Sequence, residues 1–157
     1  MKKALIIGAI LLTSTQAQGK DWLVESHFMI GRENSGYKVL GASAQRKIFN
    51  IFNAYGELDL MPDNDIFSGQ RFNSEIGIKA RVQAACGLYL SAGAGLSLLS
   101  SKGKGLATNW QFPNTLEAGL TSELGSIGFI FKHFSNGTSD YRNSGRNYIG
   151  FQVGHEF

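Results

Sequence analysis

Residues 70–82 read QRFNSEIGIKARV, and the alternation in this stretch decides the fold. Phe72, Ser74, Ile76, Ile78, Ala80 and Val82 fall on one face of an extended chain. Asn73, Glu75, Gly77, Lys79 and Arg81 fall on the other. A period of two belongs to a strand, because a helix at 3.6 residues per turn would scatter both sets around its axis. Glu75, Lys79 and Arg81 would be ruinous on a face turned to lipid. Since they share the opposite face, one such strand can show an apolar wall outside and hide its charges within.

The same period runs through the rest of the chain from residue 20 onward. Downstream, CGLYLSAGAGLSLLS (86–100) sets Leu88, Leu90, Ala92, Ala94, Leu96 and Leu98 against Tyr89, Ser91, Gly93, Gly95 and Ser97. Upstream, DWLVESHFMI (21–30) ends at the turn signal RENSG, YKVLGASAQ (37–45) follows, and FNIFNAYGELDLM (49–61) ends at PDND. After the exposed SKGKG loop come NTLEAGLTSEL (114–124), a turn at Gly125-Ser126, IGFIFKHFS (127–135), a polar loop and RNYIGFQVGHEF (146–157). The pattern predicts eight strands of roughly 9–13 residues, the length and even number of a bilayer-spanning barrel. Eight strands leave an interior just wide enough for side chains, which excludes a diffusion pore. The predicted fold class is all-β, an eight-stranded antiparallel transmembrane β-barrel of the outer-membrane type. A soluble barrel of the lipocalin kind would need polar outer faces and an apolar interior, the reverse of this pattern.

The start of the chain, MKKALIIGAILLTSTQAQG, reads as a cleaved secretory signal peptide over residues 1–17. Lys2 and Lys3 precede an apolar run from Ala4 to Leu12, and Thr15-Gln16-Ala17 supplies small residues for cleavage. That run is too short to span a bilayer. The barrel is therefore expected over residues 18–157, as one domain. The formal charge of +3 falls to about +1 without Lys2 and Lys3, which argues against a nucleic-acid partner. The single cysteine, Cys86, excludes an internal disulfide. Twenty glycines and two prolines among 43% apolar residues suit strands joined by tight turns. The last strand alternates through Ile149, Phe151, Val153 and His155 to Phe157, resembling the assembly signal of bacterial outer-membrane barrels.

Polar side chains on the lipid face are costly and point to function. In the seventh strand, Ile127, Phe129, Phe131, His133 and Ser135 share the face of the leading aromatics. A tight turn at Gly125-Ser126 would pair Leu124 with Ile127 and Ala118 with His133. It would send Ala118 and Leu120 outward and Glu117 and Glu123 inward. Asn147 is in phase with Ile149 and Phe151, so three polar side chains meet on an apolar wall. A histidine beside a serine offers general-base activation of a nucleophile, and a third polar group can fix the imidazole tautomer.

The stretch HFSNGTSDYRNSGRN (133–147) resembles the signature of the lipid A 3-O-deacylase (PagL) and acyloxyacyl-hydrolase-like outer-membrane family. His133, Ser135 and Asn136 match an H-x-S-N element, and Asn143 and Gly145 match the N-x-G-x element before the last strand. The resemblance implies a Gram-negative outer-membrane ester hydrolase that removes a 3-linked 3-hydroxyacyl chain from the lipid A of lipopolysaccharide. It assigns Ser135 as nucleophile and His133 as base, with Asn136 and the Gly137 amide stabilising the oxyanion. Well-known members carry a glutamate where this chain has Asn147. Asparagine can accept the Nδ1–H bond but cannot stabilise the imidazolium by charge. Asp140 and Glu156 are substitute acids, but alternation turns Glu156 to the lumen, so Asn147 is the expected orienting group.

The rival functions are a non-catalytic barrel for adhesion or structure, and a lipid hydrolase of different acyl selectivity. No cofactor and no metal site is expected, since His27, His133 and His155 lack ligand spacing. GKG at 103–105 lacks the context of a phosphate loop, and no G-x-S-x-G elbow is present. Trp22, Tyr37, Trp110 and Tyr148 are expected in interfacial girdles, and Lys102 and Lys104 in a solvated loop. Partners are lipopolysaccharide and membrane lipids; a homodimer is left open.

Overall fold

The computed structural model describes residues 22–31, 38–62, 70–100, 108–135 and 145–157. The expected signal peptide (1–17), Tyr37, Lys102, Lys104 and Asp140 lie outside the described residues. The strands are β1 (Trp22–Gly31), β2 (Lys38–Phe49), β3 (Phe52–Pro62), β4 (Gln70–Gln83), β5 (Leu88–Leu99), β6 (Trp110–Ser122), β7 (Gly125–Ser135) and β8 (Arg146–Glu156). Each pairs antiparallel with its neighbour in sequence, and β1 pairs with β8 from Leu23↔Glu156 to Gly31↔Tyr148 to close the barrel. Closure leaves no strand edge unpaired, the condition for a sheet in hydrocarbon.

The connections differ at the two ends. β2–β3, β4–β5 and β6–β7 join through short turns, at the end that also carries Trp22 and Phe157. The connections β1–β2, β3–β4, β5–β6 and β7–β8 at the other end are longer. Outer-membrane barrels place short turns in the periplasm and long loops outside the cell.

The outer wall is apolar all round. Phe28, Leu58, Ile76, Leu90, Leu116 and Phe129 are all exposed, Leu58 to 69%. A continuous surface of this kind far exceeds the apolar patches that water-soluble monomers tolerate, and it is suited to lipid. Trp22 and Trp110 stand exposed at opposite ends, as girdle residues do. Tyr148 does not: it is buried in the lumen edge-to-face with Phe134, their ring centroids 5.7 Å apart. Its inward phase, opposite to Asn147 and Ile149, puts it in the core and corrects the girdle expectation.

The lumen is filled by two charge networks and an apolar plug. In the first network Lys132 pairs with Glu57 and, at 3.0 Å, with Glu75. His27 Nε2 lies 2.8 Å from Asp59 Oδ1, and Asn73 donates to Asp59 Oδ2 at 3.0 Å. In the second, Lys79 pairs with Glu117, while Glu25 accepts from Arg81 at 3.1 Å and from Gln45 at 2.6 Å. The Arg81 guanidinium also lies 3.8 Å over the Tyr89 ring. Met29, Val39, Met61, Leu99, Phe134 and Tyr148 pack into a buried apolar cluster, with most of them near the long-loop ends of their strands. Alternation foresaw a polar interior and did not foresee this plug.

Two local expectations are corrected. The β6–β7 turn consists of Glu123 and Leu124, with Ser122 opposite Gly125, not of Gly125-Ser126. The Ser122 hydroxyl accepts from the Leu124 amide at 3.3 Å and tightens the chain two residues early. Gly125, at φ +135°, opens the next strand. Ala118 therefore faces Phe129, and His133 faces Asn114. The shift is even, so Ala118 and Leu120 still point outward and Glu117 inward, whereas Glu123 is exposed at the turn. β6 also starts upstream of Asn114, at Trp110, running through Pro113. The β5–β6 pairing skips from Ala94↔Asn114 to Ser97↔Gln111 around that proline, which has no amide to donate.

Candidate active site

β7 and β8 carry the polar group on the outer wall. His133 and Ser135 lie two apart on the outward face of β7, at its long-loop end, and both are half-buried. Residues two apart on a strand are about 7 Å apart along it, a gap that an imidazole and a hydroxymethyl group can bridge. Asn147 faces His133 directly across the β7–β8 ladder. The His133 Nδ1 and Asn147 Oδ1 are 2.8 Å apart. With the amide oxygen as acceptor, Nδ1 carries the proton, and the lone pair is left on Nε2. That is the tautomer a general base needs.

Gly145 closes the site from the side of β8. Its backbone has φ +68°, the left-handed region that glycine enters without steric cost. A Cβ there would lie 2.7 Å from His133 Cε1 and 3.1 Å from Nε2. The imidazole is thus held between the Asn147 amide and a backbone that approaches closer than any side chain permits. Below it the wall is aromatic and aliphatic: Phe131 lies beside Leu116 and Ile149, and the rings of Phe129 and Phe151 stand 4.8 Å apart.

The structure thus brings His133 and Asn147 together, with Ser135 on the same face. Asn136, Gly137 and Asn143 lie outside the described residues. Glu156 is at the opposite end of β8, with Leu23 its partner on β1, far from His133. One polar residue escaped the sequence analysis. Asn114 is exposed on β6 and faces His133 from the other side. It shares the phase of Leu116, Ala118 and Leu120, so alternation could have found it.

A second constellation lies inside. His27, Glu57 and Asp59 offer ligand atoms within 4.8 Å of one another, all buried. They do not fit a metal ion, because the Lys132 ammonium already lies against both carboxylates and contributes the positive charge there.

Fold and site together define a small β-barrel with a lipid-facing wall that carries a histidine–amide pair beside a serine. Residues 80–156 match the family model described as Lipid A 3-O-deacylase (PagL). The match runs from the end of β4 through β8 and takes in the segment that carries the H-x-S-N and N-x-G-x elements. Among solved structures it is similar to that titled "Crystal structure of the outer membrane enzyme PagL" (TM-score 0.65, 14% identity, covering 84% of this chain and 97% of that one). It is also similar to Neisserial surface protein A, NspA (TM-score 0.58, 12% identity, covering 88% and 98%). At such identities the likeness establishes the fold alone. No curated protein sequence matches the chain significantly.

Proposed function

We propose that this chain is an outer-membrane serine ester hydrolase that removes a 3-hydroxyacyl chain from the lipid A of lipopolysaccharide. The observation that carries the reading is the 2.8 Å His133–Asn147 contact beside Ser135 on a wall otherwise built for lipid. Polar groups at that depth are costly and call for a reason. The family match over 80–156 supports the substrate class. The position at the long-loop end supports reaction at the outer leaflet, after export directed by residues 1–17.

In this mechanism Nε2 of His133 takes the Ser135 hydroxyl proton as Oγ attacks the ester carbonyl. The developing oxyanion is met by donors from the following loop, Asn136 and the Gly137 amide. Collapse breaks the ester bond, and the imidazolium returns its proton to the departing sugar alkoxide. Water, deprotonated by the same Nε2, then cleaves the acyl-serine; the imidazolium returns that proton to Ser135 Oγ as the 3-hydroxy fatty acid leaves. Asn147 holds the ring through Nδ1 and adds no charge. The imidazolium is therefore less stabilised than beside a carboxylate, and the enzyme works slowly.

The test is mass spectrometry of lipid A from cells expressing the protein, beside a Ser135→Ala control folded to the same level. Loss of one 3-hydroxyacyl mass in the wild type alone is the expected result. Unchanged lipid A, both in cells and with purified lipopolysaccharide in detergent, would overturn the proposal.

A further inference from the structure

We propose that Asn114 is a substrate-binding residue, whose side-chain amide grips a carbonyl or hydroxyl of the lipid beside the ester that is cut. The inference rests on the hydrolase reading above and adds a third strand to its site. Across the ladders, Asn147, His133 and Asn114 form one row on three adjacent strands. Two members of the row are held to each other. Among the described residues the third has only a 3.4 Å contact from Nδ2 to the Phe112 carbonyl of its own strand, at the outer limit of a hydrogen bond. Its side chain is exposed.

The depth of Asn114 is what makes this informative. It does not sit at the rim of the apolar wall, because Trp110 and Phe112 are exposed above it on the same face of β6. Below it Leu116 and Leu120 are exposed as well. An amide enclosed above and below by lipid-facing apolar side chains carries an unmet hydrogen-bonding demand that water cannot fully answer. A lipid can answer it at one level only, where polar linkages join the acyl chains to the headgroup. Asn114 lies at the level of His133, so a lipid whose ester reaches Ser135 brings its neighbouring linkage to β6.

On the β5 side of Asn114 the wall is low. Ala94 faces Asn114 across the β5–β6 ladder, and Ala92 faces Leu116. Both alanines line a shallow apolar depression of about 1030 Å³ shared with Phe52, Ile76 and Leu96. An acyl chain next to the scissile one, anchored by its linkage to Asn114, has this trough to lie in. The substrate class that follows is a lipid with several acyl chains joined at one headgroup by hydrogen-bonding linkages, gripped at one linkage and cut at another.

The experiment compares wild type, Asn114→Leu and Ser74→Leu, all purified in detergent and checked for folding by near-UV circular dichroism. Ser74 is also outward and exposed, on β4, far from β7. Hydrolysis is measured on purified lipopolysaccharide and on a short-chain p-nitrophenyl ester that has one acyl group and no second linkage. The expected result for Asn114→Leu is a loss in kcat/KM on lipopolysaccharide of about tenfold, the worth of one hydrogen bond of ordinary strength. That loss should fall mainly on KM and exceed the loss on the small ester several-fold. Asn114→Ser, which keeps a donor and acceptor, should recover part of it, and Ser74→Leu should match wild type. Equal losses on both substrates, or none on lipopolysaccharide, would overturn the proposal while leaving the hydrolase intact. Wild-type protein inert on both substrates would remove the hydrolase reading, and this one with it.

Discussion

The barrel carries polar side chains on both surfaces, and the two sets are built differently. Inside, charges are dense and answered: Lys132 meets Glu57 and Glu75, Lys79 meets Glu117, and Arg81 meets Glu25. Outside, the row of Asn147, His133 and Asn114 with Ser135 holds no carboxylate, lysine or arginine, and its one side-chain pair leaves hydrogen-bonding capacity to spare. Among the described residues, the richest cluster of titratable groups is therefore not the candidate site. Buried ion pairs that satisfy one another are costly to break, because removing one partner strands the other, whereas polar groups left open to lipid are available for chemistry.

That contrast breaks most visibly if the wrong surface carries the activity. Ser135→Ala should reduce deacylation of lipopolysaccharide by roughly 10⁶-fold, the loss seen when a nucleophile is removed from a working triad. Its unfolding midpoint in guanidinium should match wild type. Asn147→Leu should lower the rate by about 10²–10⁴-fold, because the imidazole loses its tautomer and orientation. Asn147→Glu should raise it above wild type by supplying the missing charge, and the same lipid assay reads both. A rate for Asn147→Leu equal to wild type would mean that the His133 pairing is incidental.

Inside, the effects should fall on stability. Lys132→Met removes the only cation shared by Glu57, Asp59 and Glu75 among the described residues. It should cost about 3–5 kcal/mol, measured by denaturant unfolding in detergent. The smallest effect should come from Gly145→Ala. Its new Cβ would press the His133 ring and sit in a left-handed backbone at a cost of about 1 kcal/mol. Activity should fall about tenfold through displacement of the imidazole. A Gly145→Ala variant as active as wild type would show that the ring has slack.

Much of the barrel was legible because strand alternation is local. Glu75, Lys79 and Arg81 declare the inside of β4 from their own spacing, and the even strand count follows from the turns. What crosses between strands was less legible. The β6–β7 register hung on whether Gly125 belonged to the turn or to the strand, and the Ser122 hydroxyl decided it. The error was even, so facing survived while partners changed, and Asn114 took the place beside His133 that a turn at Gly125-Ser126 would have given to Ala118. Tyr148 was misplaced because its position near a strand end outweighed its phase. The apolar plug and the His27–Asp59 contact unite residues from distant strands, which no single stretch of sequence displays.

The plug near the loop end has a consequence for how the proposed reaction must be counted. Side chains fill the lumen, so substrate and product do not travel through it; they arrive and leave sideways along the membrane. Encounter then takes place in two dimensions. The rate is governed by the mole fraction of substrate among surrounding lipids and by lateral diffusion, and a volume concentration has little meaning. Adding inert lipid or detergent at fixed total substrate should slow turnover by surface dilution alone, with no change at Ser135 or His133.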